Sequence, residues 1–248
     1  MQKSKDSKML IFLDLETTGL EAADKIVSIG LIGVQEDAVV VKYDLVNEGK
    51  KIPPKASSIH HITNEMIKAK PKFEECEAYA FLCEHNMPST TLVAHNAPFD
   101  VKMLLACGFS FKGTILDTLR VSKHLIPECE GFSLQVLRYE LRLYKEEKAQ
   151  ASRCAISEEL QAHNALHDAL MVKILYQYLL EIESKEKMIA LSLKNVLVKK
   201  FEFGKYKGRY IEEISLLERG YLEWMLANIL DLNDDLRYSI NYYLQGNT

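Results

Sequence analysis

The sequence has no C-x-x-C pair, no low-complexity tract and no internal repeat, and positive charge is not in excess. Each absence removes a class of protein. Its five cysteines (Cys76, Cys83, Cys107, Cys129 and Cys154) form an odd, scattered set, which argues against a disulfide framework and a structural zinc site. They read as reduced, mostly core residues. The polar start "MQKSKDSK" is followed by the apolar run "MLIFL", too short for a secretory h-region or a membrane span. A cytoplasmic protein without membrane contact is expected. A net charge of −4 speaks against coating nucleic acid through bulk electrostatics, so any such contact must be local.

What is present suffices for a full core and a small second domain: 248 residues, 48% hydrophobic and 27% charged. One local reversal of charge stands out. Between Lys194 and Arg209 lie Lys199, Lys200, Lys205 and Lys207 against Glu202 alone, interleaved with Phe201, Phe203 and Tyr206 and followed by Tyr210.

Along the chain, "KIVSIGLIGV" and "AVVVKYDLV" are β-branched runs separated by Gln35-Glu36-Asp37, which suits a hairpin and makes the first three strands antiparallel. A loop with Pro53-Pro54 leads into a short helix that Pro71 stops. "KFEECEAYAFLCEH" reads as a helix, "TLVAHN" as a buried strand, and "APFDVKMLLACG" as a helix capped by Asn96. "TILDTLRV" passes from strand to helix with Asp117 as its cap; "SLQVLRYELRL" and "ALHDALMVKILYQYLLEI" are further helices. The order β-β-β-α-β-α-β-α-α implies an α/β fold, a mixed five-stranded sheet flanked by helices. The pattern weakens after residue 183. We expect a flexible N-terminus at 1–7, a main domain at 8–183, a linker at 184–195 and a small α+β domain at 196–248. In the last, "VKKFEFGKYKGRYIEEI" reads as a hairpin, Ser215 and Glu218 as a capping box, and Asn233 precedes a final helix.

The segment "MLIFLDLETTGL" carries the chemistry. Alternation puts Leu10, Phe12, Asp14 and Glu16 on one strand face, so two carboxylates point the same way. Like charges that close raise one another's pKa unless a cation sits between them. A lone D-x-E is equally a strand end entering a solvated turn, so the rest of the site decides. Asp100 falls in the first turn of the helix after "TLVAHN", where it is either a dipole partner or a third ligand at the sheet's edge. Asp168 lies five residues after His163, about 140° around a helix. The two converge if Asn164 is the N-cap, His163 precedes the helix and Asp168 lies in its first turns. His95 and His167 read as packing or supporting groups.

"DLETTG", "HNAPFD" and "HNALHDA", in this order, resemble the three motifs of the DEDDh exonucleases, a family that includes the proofreading epsilon subunit of bacterial DNA polymerase III. "VNEGKKIPPKASSIHHITNEMI" is similar to the family's loop with His-Gly-Ile-Thr, His61 standing where glycine is usual. Asparagine at 164 disfavours the sister class with tyrosine there. The tail from about 196 resembles the C-terminal domain of exodeoxyribonuclease X-like proteins, and its basic, aromatic segment suits gripping a strand or a partner.

This resemblance implies a ribonuclease H-like fold and a 3′–5′ exonuclease of proofreading or DNA-repair type that releases 5′-mononucleotides from DNA 3′ ends. It implies two Mg²⁺ or Mn²⁺ ions held by Asp14, Glu16, Asp100 and Asp168, with His163 as general base. Thr17, Thr18 and Asn96 would contact substrate, the threonines through backbone amides. RNA as substrate, a polymerase contact, and a non-catalytic adaptor on the same fold are the alternatives. The presence of all five expected functional residues disfavours the adaptor.

Overall fold

The computed structural model describes residues 8–156 and 163–246, so the expected flexible segment 1–7 lies outside the described residues. Three strands open the chain: β1 (Leu10–Thr17), β2 (Ile26–Gln35) and β3 (Ala38–Leu45). The turn into β2 is stapled by Asp24. Its carboxylate takes hydrogen bonds from Thr18 Oγ1 (2.7 Å), Lys50 Nζ (2.8 Å) and the Glu21 amide (2.8 Å). Lys50 beside it, with these bonds, holds the carboxyl down at about 2.

Two short helices follow, α1 (Pro54–His60) and α2 (Asn64–Ile67), rather than the single one expected. They are divided by His61, whose φ of 61° closes α1 in the left-handed conformation. That geometry explains why glycine suits the position. Next come α3 (Glu77–Glu84), β4 (Thr91–Ala94), α4 (Ala97–Ala106), β5 (Thr114–Asp117) and α5 (Thr118–Leu125). The sheet order is β3-β2-β1-β4-β5, with β1, β2 and β3 antiparallel and β1, β4 and β5 parallel. This is the expected mixed five-stranded sheet, with β1 at its centre.

The remaining helices of this unit are α6 (Leu134–Glu140), α7 (Glu147–Arg153), α8 (Ala165–Leu180) and α9 (Lys185–Ser192). Alternation along β1 divides the core as expected. Phe12 packs with Leu166, Leu170 and Leu175 of α8 on one face, while Ile11, Leu13 and Leu15 pack with Leu82 and Met103 on the other. The α8 helix is buried along most of its length because the sheet and α5, α6 and α7 surround it.

The expected linker at 184–195 needs correction, since the first compact unit extends to Ser192. Within that span α9 buries Met188, and Ser192 Oγ accepts the Asp117 amide at 2.9 Å, so residues 184–192 belong to the sheet unit.

The second unit, from Leu193, contains α10 (Ile211–Leu217), α11 (Arg219–Asn228) and α12 (Asp234–Leu244) around Phe201, Ile211, Ile214, Leu222, Met225, Leu236 and Ile240. The expected hairpin reduces to a single bridge, Lys200 to Tyr210, because Gly204 (φ 74°) and Gly208 (φ 83°) fold the segment between them into tight turns. Ser215 lies inside α10, its hydroxyl donating to the Glu212 carbonyl, and is not the first half of a capping box. The helix α12 starts after Asn233 as expected, and the Asn233 side chain caps it by accepting the Asp235 and Leu236 amides. No helix among the described residues is long and apolar enough to cross a membrane.

Candidate active site

Asp14 and Glu16 stand on the same face of β1, opposite Gly30 and Ser28 of β2 in the register. Gly30 explains why a helix can reach them. A Cβ there would lie 2.2 Å from the Ala165 carbonyl carbon and the Leu166 nitrogen, so the start of α8 rests directly on the sheet beside Asp14. Asn164 Oδ1 caps that start, accepting from the amides of Leu166 (3.1 Å) and His167 (3.3 Å). Asp168 follows in the first turn and His163 precedes the cap, which is the arrangement that their spacing required. The fourth acid, Asp100, comes from the first turn of α4 and is buried.

These groups line one cavity of about 390 Å³: Asp14, Glu16, Asp100, Asp168 and His163, with His95, Phe99 and the segment 133–135. Glu16, His163 and Asp168 each bring a donor atom within 4.8 Å of the others. Burial raises the Asp14 carboxyl well above the usual range, and Asp168, Asp100 and Glu16 push it further. Burial, then Asp168, lifts Glu16 to about 8. Asp100 is raised by burial, with Asp117 and Glu16 adding to it.

Asp168 rises to about 6 through burial, held back by the hydrogen bonds it accepts and by Arg138. Its Oδ2 accepts the backbone amide of His163 at 2.8 Å, and its Oδ1 accepts Gln135 Nε2 at 3.0 Å. Gln135 is itself oriented, since Arg138 donates to its Oε1 at 3.2 Å and is clamped by Glu147 of α7. The residue types carried no signal for this relay, because Gln135 and Arg138 read as the polar side of an amphipathic helix. His95 supports the site, as expected. Its ring bridges Thr118 Oγ1 (3.0 Å) and the Phe132 carbonyl (2.8 Å), tying the loop before α6 to the end of β4.

The expected substrate contacts are a different matter, because Thr17, Thr18 and Asn96 are not among the residues lining the cavity. The Thr17 hydroxyl donates to the Gly19 carbonyl, and the Thr18 hydroxyl is committed to Asp24. Asn96 holds the N-cap position of α4, but in a left-handed conformation without a side-chain cap bond; its amide donates instead to Asp117 Oδ1 at 2.9 Å.

Four carboxylates raised by burial and mutual repulsion, with no Lys or Arg among the described lining residues, fit a divalent cation that prefers oxygen ligands. The comparisons with known proteins give the family. The chain belongs to the exonuclease family, which matches residues 11–176. It is therefore a nuclease, a hydrolase of phosphodiester bonds.

Residues 201–229 match the exodeoxyribonuclease X-like C-terminal family. Exodeoxyribonuclease 10 of Escherichia coli (strain K12) is 28% identical over 241 residues, which covers 96% of this chain and 100% of that protein. DNA polymerase III subunit epsilon of Treponema pallidum is 40% identical over 95 residues, 38% of this chain and 43% of that one. Among solved structures, exonuclease X in complex with 5′-overhanging duplex DNA is similar with a TM-score of 0.58 at 26% identity, covering 74% of this chain and 99% of that chain. The mixed sheet flanked by helices is the ribonuclease H-like fold of these exonucleases.

Proposed function

We propose that the protein removes nucleotides one at a time from DNA 3′ ends as 5′-mononucleotides, with Asp14, Glu16, Asp100 and Asp168 holding two Mg²⁺ or Mn²⁺ ions and His163 acting as general base. The observation that carries this is the convergence of four carboxylates and one imidazole on a single cavity. Divalent ions bound there would polarise the scissile phosphate and stabilise the charge that develops on the leaving 3′ oxygen. The protein's own part is to hold four acids ionised beside a polyanion and to offer a base for the proton of the attacking water. The exposed ring of His163 suits that role, and its main chain helps to fix Asp168 through the amide bond. The hydroxyls of Thr17 and Thr18 are spent on the turn and the Thr18 amide donates to the Lys25 carbonyl at 2.9 Å, so a contact with the strand end from this pair would come from the Thr17 backbone.

DNA is favoured as substrate by exodeoxyribonuclease 10, which this chain matches along its whole length. A cytoplasmic setting accords with five free cysteines. Incubating the protein with 5′-labelled single-stranded DNA and with RNA of one sequence, with Mg²⁺ or with EDTA, tests the proposal. A ladder shortening from the 3′ end of DNA, dependent on metal, with mononucleotide products, is expected. Inert DNA alongside degraded RNA would overturn it.

A further inference from the structure

We propose that the second unit carries a single-strand binding platform of its own, built by Trp224, Tyr221 and Tyr206 under Lys205, that grips the DNA strand in addition to the nuclease site. The proposal rests on the DNA exonuclease reading above. The aromatic side chains form a continuous series leading from the core of the unit to its surface. Phe201 is 3% exposed and lies 6.4 Å from the Tyr206 ring; Tyr206 meets Tyr221 edge-on at 4.9 Å; Tyr221 stacks on Trp224 at 6.1 Å and 26°. The series ends at an indole that is 52% exposed. The indole is exposed and stacks on half-buried Tyr221, which fixes it as a surface ring that a third flat ring can stack against.

Charge selects the kind of ring. Lys205 Nζ lies 4.7 Å from the Tyr206 centroid and 5.9 Å from that of Tyr221. Exposed Lys199, Lys200 and Lys207 belong to the same segment, and none of the three pairs with a carboxylate among the described residues, whereas Arg209 and Arg219 are taken up by Glu213 and Glu223. Lys200 lies over the Tyr210 ring at 4.6 Å, so the segment pairs ammonium groups with aromatic rings twice, a combination that suits the alternation of phosphate and base in an unpaired strand.

The backbone keeps the two elements together. Left-handed Gly204 and Gly208 close the turns that carry Lys205 and Lys207, the Gly208 amide donating to the Phe201 carbonyl at 2.7 Å. At Gly204 a Cβ would lie 3.7 Å from the Tyr221 hydroxyl, so the turn lies directly against α11. In duplex DNA the bases are already stacked on one another, so the platform favours single strands.

Trp224 is the only tryptophan of the chain, which makes its fluorescence a direct reporter. The full-length protein in EDTA, which prevents hydrolysis on the proposed mechanism, is titrated with an oligothymidylate of about 16 nucleotides and with a duplex of equal length. Saturable quenching by the single strand, with little by the duplex, is expected. Binding of a labelled strand, followed by anisotropy, should weaken by about tenfold in Trp224→Leu and become less salt-dependent in Lys205→Ala/Lys207→Ala. Both variants should hydrolyse a trinucleotide at the parent rate. Unquenched fluorescence, equal quenching by the duplex, or unchanged strand affinity in Trp224→Leu would overturn the platform. Normal trinucleotide cleavage in that case leaves the nuclease reading standing. Quenching by a protein that cleaves no DNA would sink that reading instead.

Discussion

At the scale of single residues, His163 separates two jobs that its position could confuse. Its bond to Asp168 runs through the backbone amide, so replacing the ring leaves that 2.8 Å contact in place. His163→Asn is the suitable variant, because asparagine tolerates the left-handed backbone (φ 58°) and its amide cannot take up the proton. Turnover should fall by roughly 10²- to 10⁴-fold. Mn²⁺ affinity by calorimetry should stay near the parent value. Parallel loss of metal affinity would make the ring a ligand, in line with its nearness to Glu16 and Asp168. His61 offers a contrasting change without chemistry. It is exposed at φ 61°, where a side chain costs about 1–2 kcal/mol and glycine loses about 0.5–1 kcal/mol in chain entropy. His61→Gly should therefore raise unfolding stability by about 0.5 kcal/mol in a denaturant titration and leave the nuclease rate unchanged.

At the scale of elements, the site depends on how closely α8 approaches β2. The Cβ introduced by Gly30→Ala would collide with the main chain of Ala165 and Leu166, so the helix itself must move. A loss of about 1–3 kcal/mol is expected by denaturation, with a rate loss larger than unfolding explains, since Asp168 rides on that helix. Gly33→Ala is the control. Its Cβ would meet the Phe81 ring on the opposite face, so it should cost stability but little rate in the folded fraction.

The same elements mark what the sequence could disclose. Alternation in β1, the β-branched runs of β2 and β3 and the Asn164 cap were legible because each is a local pattern: period two or β-branching along a strand, and a side chain reaching two residues ahead. Three helices escaped, among them α10 (Ile211–Leu217), whose start was read as the end of the hairpin. In α9 a single buried residue, Met188, carries the apolar signal, and α7 turns Glu147 and Gln150 inward, against the usual rule. The left-handed cap at His61 and the Gln135–Arg138–Glu147 relay depend on tertiary partners that no spacing reveals.

At the scale of the whole molecule, the acid cluster is a strain that metal should relieve, and pH makes it measurable. In the metal-free protein Glu16 titrates at about 8 and Asp168 at about 6, against ordinary values of 4.5 and 3.8. A carboxyl raised on folding binds more protons in the native state than in the unfolded one. Its contribution to stability is thus complete below the ordinary value and is lost as pH rises through the folded value. Asp24 runs the other way, stabilising above 3.8 and failing as pH falls through about 2, so it lies outside this window. Below pH about 6.5 the lowered His60 and His95 work in the opposite sense, so the melting temperature in EDTA should fall most clearly from about 6.5 to about 8, as Glu16, with Asp14 and Asp100 also raised, gives up its contribution. Saturating Mg²⁺ should lift the curve most at the alkaline end, where the ligands are already ionised and ion binding adds its own stabilisation. Glu16→Gln should make that fall shallower in EDTA and melt higher than the parent at pH about 9, while losing most of the Mg²⁺ effect. A melting temperature in EDTA that stays level or rises across this range would mean that the four carboxylates do not repel one another in the folded protein, and the case for a cation among them would lose its electrostatic basis.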